Sequence, residues 1–159
     1  MNYEKVFELA EPYLKKNDFG MPHTRRVFEI AQKNFDIPKD IEELVYCSII
    51  MHDIGGSTIE KQYKNGPEIA STILTNLGYP QDFVDQVCEF VRSHHDHPSS
   101  PPLAFKILYD SDKLVMFSPE EYPHYMSHPK FDWNQIIDLI YHSHAKELAK
   151  QLLQKRRTE

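Results

Sequence analysis

From Ile41 to Ile54 the chain reads Ile-Glu-Glu-Leu-Val-Tyr-Cys-Ser-Ile-Ile-Met-His-Asp-Ile and then meets Gly55-Gly56. After its first turn this segment is apolar on nearly every face. A helix built from it belongs in the middle of a fold and must be wrapped by other elements. Its end carries His52 and Asp53. Buried polar groups without partners cost about 1–3 kcal/mol each, and charged ones more. A metal ion satisfies an adjacent imidazole and carboxylate together, provided that other inward-facing residues complete the ligand set.

The wrapping elements read as helices. Nothing alternates with a period of two for long, whereas helical spacing recurs in segment after segment. Tyr3, Val6, Phe7, Ala10, Tyr13 and Leu14 define one amphipathic helix ending near Asn17-Asp18. Gly20-Met21-Pro22 opens a second, with Val27, Ile30, Ala31 and Phe35 inward. Pro38 starts the central helix, and residues 55–65 are expected to form a loop. Pro67 is expected to start a fourth helix that stops at Gly78. Pro80 starts a fifth, running into His94-His95, with a loop of His, Ser and Pro from Ser93 to Pro102. A sixth spans about Leu103 to Phe117. Pro119, Pro123 and Pro129 break up the next stretch, and a last helix is expected from about Asp132 to Arg156. The fold class is all-α, with seven to eight helices in a single compact domain over residues 1–159.

Composition narrows the function classes. The net charge of −6 and the lack of a basic stripe disfavour a long nucleic-acid surface, while a small phosphorylated molecule in a local pocket remains compatible. The closing Lys155-Arg156-Arg157 suits a helix C-terminus. Cys47 and Cys88 fall in apolar helical patterns and read as core residues, not a disulfide, so the chain is expected to be cytoplasmic. No signal core or membrane-spanning run is expected. Monomer and homo-oligomer both stay open.

At about 100° of rotation per residue, His23 lies about 40° from Val27 and Asp112 about 40° from Leu108, inside the apolar stripes of their helices. His95 is expected near the middle of the stripe set by Val84 and Val91, with His94 at its edge. His23, His52, Asp53 and Asp112 are thus inward ligand-type residues on three helices, and bundles build metal sites in this way. Two imidazoles and two carboxylates suit one divalent transition metal ion such as Fe, Mn, Co, Ni or Zn. Such an ion with four protein ligands keeps room for a reacting water.

In this order the residues resemble the HD-domain superfamily of metal-dependent phosphohydrolases. The resemblance is carried by His23 followed by Arg26-Val27, by Met-His-Asp-Ile-Gly around His52-Asp53, by His94-His95, and by Asp112 in Tyr-Asp-Ser-Asp-Lys-Leu, over about residues 20–117. It implies that His23, His52, Asp53 and Asp112 hold the metal, which activates water for attack on a phosphomonoester or nucleotide. Asp53 would orient the water or bridge to a second ion. Arg26, on the same side of its helix as His23, becomes the expected phosphate contact, since planar guanidinium groups suit phosphate. Lys113 adjoins Asp112 but points away from the core in the helical phase.

The chain also departs from that pattern. Many two-metal members carry another histidine early in the helix after the His-Asp loop, where this chain reads Tyr63-Lys64-Asn65-Gly66-Pro67-Glu68. One metal is therefore favoured over two, with Glu68 read as a helix-start carboxylate. Gly56 and Ser57 stand where some relatives place a lysine or glutamate, so His94 or His95 is left as the acid or phosphate contact. The rival readings are a di-iron oxygenase on the same scaffold and a non-catalytic ligand-binding or sensor module.

Overall fold

The computed structural model describes residues 3–17 and 20–159. Among them it is helical throughout, with no strand. The helices are α1 (Glu4–Leu14), α2 (Gly20–Asn34), α3 (Lys39–Met51), α4 (Ile59–Asn76), α5 (Gln81–Ser93), α6 (Leu103–Leu114), α7 (Tyr122–Met126), α8 (Trp133–Leu139) and α9 (Ser143–Arg157). A single 3-10 turn at Val115–Phe117 extends α6. The helix expected to end near Asn17-Asp18 stops at Leu14, and Asp18 lies outside the described residues. Among the described residues no helix is long and apolar enough to cross a membrane.

The apolar run behaves as its composition demands. Every residue of α3 from Val45 to Met51 is buried, and α3 packs against α1, α2, α5 and α6. The apolar side chains sort into two cores. One joins Val27, Ile49, Leu108 and Phe117 to Trp133 and the inner face of α9. The other joins Phe7, Leu14 and Ile50 to Leu74, Val87 and Val91. His52 follows at the buried end of α3 and is fully enclosed.

Two helices differ from their sequence expectation, each for a visible reason. The stretch read as a loop up to Asn65 is helical from Ile59, and Pro67 lies inside α4. Thr58 caps that helix by accepting the Lys61 N–H at 3.2 Å. The Gly66-Pro67 pair looks like a helix start, but it marks a close approach. A Cβ on Gly66 would lie 2.8 Å from Val91 Cγ1, and one on Gly55 would lie 2.6 Å from both Gly66 N and Lys61 O. The long terminal helix is split at residues 140–142, with Ile140 extended. There the fully buried Asp110 accepts the N–H groups of Tyr141 and His142 at 2.8 and 2.9 Å and the His142 Nδ1–H at 2.7 Å. A buried carboxylate needs such donors more than the chain needs an unbroken helix. The helix count is therefore nine, not seven to eight, within the described residues.

Candidate metal centre

The ends of α3 and α5 and the inner faces of α2 and α6 meet at one point. His23 Nε2 lies 3.3 Å from His52 Nε2 and 3.2 Å from both Asp53 Oδ2 and Asp112 Oδ1. His52 Nε2 lies 3.3 Å from the same two carboxylate oxygens. The four residues expected to hold the metal thus face each other. The loop that carries Asp53 is pinned by side-chain amides: Asn17 Nδ2 donates to Asp53 O at 2.7 Å and Gln62 Nε2 to Gly56 O at 2.9 Å.

Which ring nitrogen faces the centre is settled by the other nitrogen. His52 Nδ1–H donates to Ile49 O at 2.5 Å and His94 Nδ1–H to Val91 O at 2.7 Å. His23 Nδ1–H donates to the Glu121 carboxylate at 2.9 and 3.1 Å. Each ring therefore turns an Nε2 lone pair inward. Lone pairs of His23 and His52 at 3.3 Å repel unless a cation lies between them.

The donor set fits a divalent ion. Metal–ligand bonds of ~2.0–2.2 Å span ligand edges of about 3.0–3.4 Å, and the observed separations fall in that range. His94 Nε2 gives a second sign. It is buried without a hydrogen-bond partner, 3.3 Å from Asp53 Oδ1. Asp53 so faces His23 and His52 with one oxygen and His94 with the other. Asp53, His94 and His95 form a second group able to hold a metal beside that of His23, His52 and Asp112. Glu68 is exposed and belongs to neither group.

Electrostatics tell the same story for the metal-free protein. Burial alone would lower the His23 pKa, but hydrogen bonds with Asp112, Asp53 and Glu121 outweigh it and push it up to about 12. Burial likewise opposes the charged form of His52, and Asp53 and Asp112 raise it to about 10. Against burial, the charge of His52 and hydrogen bonds from both rings hold Asp53 and Asp112 well below the usual carboxylate range. Protons thus occupy the place of a cation. His95 goes the other way: burial, then the neighbouring His94, lower it to about 4.

The expected order of the 94–95 pair is reversed. His94 is buried and His95 is the more exposed, because α5 ends at Ser93 and helical phase no longer applies beyond it. His95 Nε2 bonds the Gln62 carbonyl oxygen, and Gln62 is oriented by its amide donation to Gly56 O. The ring proton therefore sits on Nε2 and the Nδ1 lone pair is left available.

A cavity of about 570 Å³ opens over the centre, lined by His23, Asp53, Asp112 and His95 together with Asn17, Gln62, Lys113, His124 and Tyr125. Two side chains stand elsewhere than expected. Arg26, expected to meet phosphate, does not line it; its Nε and Nη2 both sit 3.0 Å from Glu121 Oε2. Lys113, expected to face away, does line it, resting 5.0 Å from the Tyr109 ring centre. Burial, and then the carboxylates of Asp112, Glu121 and Asp53, push the Tyr125 hydroxyl up, so this cavity-lining residue keeps its proton. His97 lines a separate apolar cavity and stacks on Tyr141 at 4.5 Å. Glu121, His124 and Tyr125 come from the proline-broken segment, which offers no helical phase to read.

Comparison with known proteins agrees with this geometry. A family model described as HD domain matches residues 21–116. An uncharacterized protein of Clostridium beijerinckii is 29% identical over 120 residues, covering 69% of this chain and 71% of the relative. The fold is similar, at a TM-score of 0.69 and 20% identity, to the crystal structure of a predicted HD superfamily hydrolase from an uncultured Thermotogales bacterium. That likeness covers 98% of this chain and 87% of the other. With the family model spanning more than half of the sequence and the His, His-Asp and Asp groups converging as described, this chain belongs to the HD domain family.

Proposed function

We propose that the protein is a metal-dependent phosphohydrolase acting on a small phosphomonoester or nucleotide, with His23, His52, Asp53 and Asp112 holding a divalent metal ion. The observation that carries this reading is the convergence of four ligand atoms beneath an open cavity. Its volume of about 570 Å³ suits a ligand the size of a nucleotide or sugar phosphate. When bound, the metal supplies a Lewis acid that polarises a phosphoryl oxygen and acidifies a water.

The chain's own groups do the rest. Water adds to phosphorus as the ester P–O bond breaks, giving phosphate and an alcohol. The His95 Nδ1 lone pair, set by Gln62, is placed to take the water proton. Lys113, His124 and the Tyr125 hydroxyl line the wall where phosphate oxygens and the leaving oxygen would lie. One of them gives the leaving oxygen its proton. The orphaned His94 Nε2, facing Asp53 Oδ1, favours a second ion at these two groups despite the missing histidine near Asn65, with the His95 lone pair kept for the water proton.

The test is a panel of nucleoside monophosphates and sugar phosphates incubated with purified protein and Mn²⁺ or Co²⁺. Phosphate should be released from at least one, and not after chelation. A metal-loaded protein that hydrolyses no phosphoester in the panel would remove the reading.

A further inference from the structure

We propose that Glu121 is a positioning residue for the metal centre: one buried carboxylate, anchored by Arg26, fixes the His23 ring and ties the α7 wall of the cavity to it. The inference rests on the reading of His23 as a metal ligand.

His52 and His94 take their Nδ1 partner from the carbonyl three residues earlier in their own helix. His23 does not; its acceptor is a charged group 98 residues away in sequence. A carboxylate has no proton to offer here, so Nδ1 must donate and Nε2 must face the metal. A charged acceptor also makes the ring a stronger ligand than a carbonyl does. Glu121 itself is fully buried, and a buried carboxylate with a single neutral partner is costly. Arg26 answers that cost. It lies one turn beyond His23 on α2 and places Nε and Nη2 on the same Oε2 that His23 contacts. The guanidinium is thereby directed to the protein and not to the substrate.

Glu121 also stands at the start of α7, whose His124 and Tyr125 line the cavity. The segment is set from below by Ser118, whose carbonyl accepts the N–H groups of Glu121 and Tyr122 at 3.2 and 2.8 Å. A shift of α7 therefore moves the acceptor of His23, and metal geometry and cavity wall are coupled through one side chain.

The test is titration of metal-stripped wild type, Glu121→Gln, Glu121→Asp and Arg26→Gln with Co²⁺ alone, followed by calorimetry and by visible absorption. Glutamine keeps the shape but loses the charge, and with its carbonyl oxygen in the shared Oε2 position its NH₂ faces the His23 Nδ1–H. Its Co²⁺ dissociation constant is expected to rise about 10–100-fold, with altered cobalt bands. Aspartate, which keeps the charge, should fall between. Arg26→Gln should weaken Co²⁺ binding less, and adding it to Glu121→Gln should bring no further loss. Far-UV circular dichroism establishes folding. Folded Glu121→Gln with wild-type affinity and bands would overturn the proposal. If that variant does not fold, unchanged binding and bands in Arg26→Gln would do so. A wild type that takes up no cobalt removes the metal reading and this one with it, whereas cobalt uptake equal in all four proteins removes this one alone.

Discussion

Asp53 is the residue on which both donor groups depend, since Oδ2 faces His23 and His52 while Oδ1 faces His94. Asp53→Asn keeps the shape but offers an NH₂ to one side and no charge to either. It should lower both metal affinity and phosphate release by more than about 100-fold, beyond the loss typical of an outer partner. Equilibrium dialysis and an assay on the same sample check this. His23 and Asp112 were legible in the sequence because each lies within a regular helix, where phase alone places the side chain. Glu121, His124 and Tyr125 were not, because prolines 119 and 123 break the periodicity that would have pointed them inward. Helical phase turns Lys113 away from the core, yet a flexible four-carbon stem reaches the cavity from that face. Arg26 shares a side with His23, as its phase requires, and its guanidinium is paired with Glu121, 95 residues away.

At the level of elements, the helices themselves followed from apolar periodicity, while their boundaries were decided by contacts across the fold. Asp110 is the clearest case: nothing local predicts that α8 and α9 separate, and three hydrogen bonds to one carboxylate separate them. Asp110→Ala leaves two backbone N–H groups and the His142 ring without an acceptor. It should cost about 3–5 kcal/mol of stability in a denaturant titration, the range for breaking a buried pair, with Co²⁺ affinity unchanged in the folded protein. The close approach of the Gly55 loop to α4 makes a second case. Gly55→Ala puts a Cβ 2.6 Å from two backbone atoms that no rotamer change can move. A loss of about 1–3 kcal/mol is expected, together with weaker metal binding, because the same loop carries Asp53.

For the whole molecule, the two apolar cores leave a charged centre between them that needs a cation, and protons and metal compete for it. In the metal-free fold His23 and His52 hold protons that the unfolded chain releases near pH 6.5. The folded state then binds more protons than the unfolded one, so stability conferred by these groups is full below about pH 6.5 and lost as pH rises toward 10–12. Asp53 and Asp112 act oppositely, losing their contribution as pH falls below the usual carboxylate range. Melting curves of chelated protein should therefore fall from pH 6.5 to 9, whereas the increase in melting temperature on adding metal should grow over the same interval, since binding must displace those protons. The most direct test of the central claim is phosphate release by metal-stripped protein titrated with Mn²⁺, beside the Asp112→Asn variant. The account predicts no release without metal, a rise that saturates as the site fills, and no such rise in the variant. Release that persists in chelator, or a variant that matches wild type at every Mn²⁺ concentration, would contradict it.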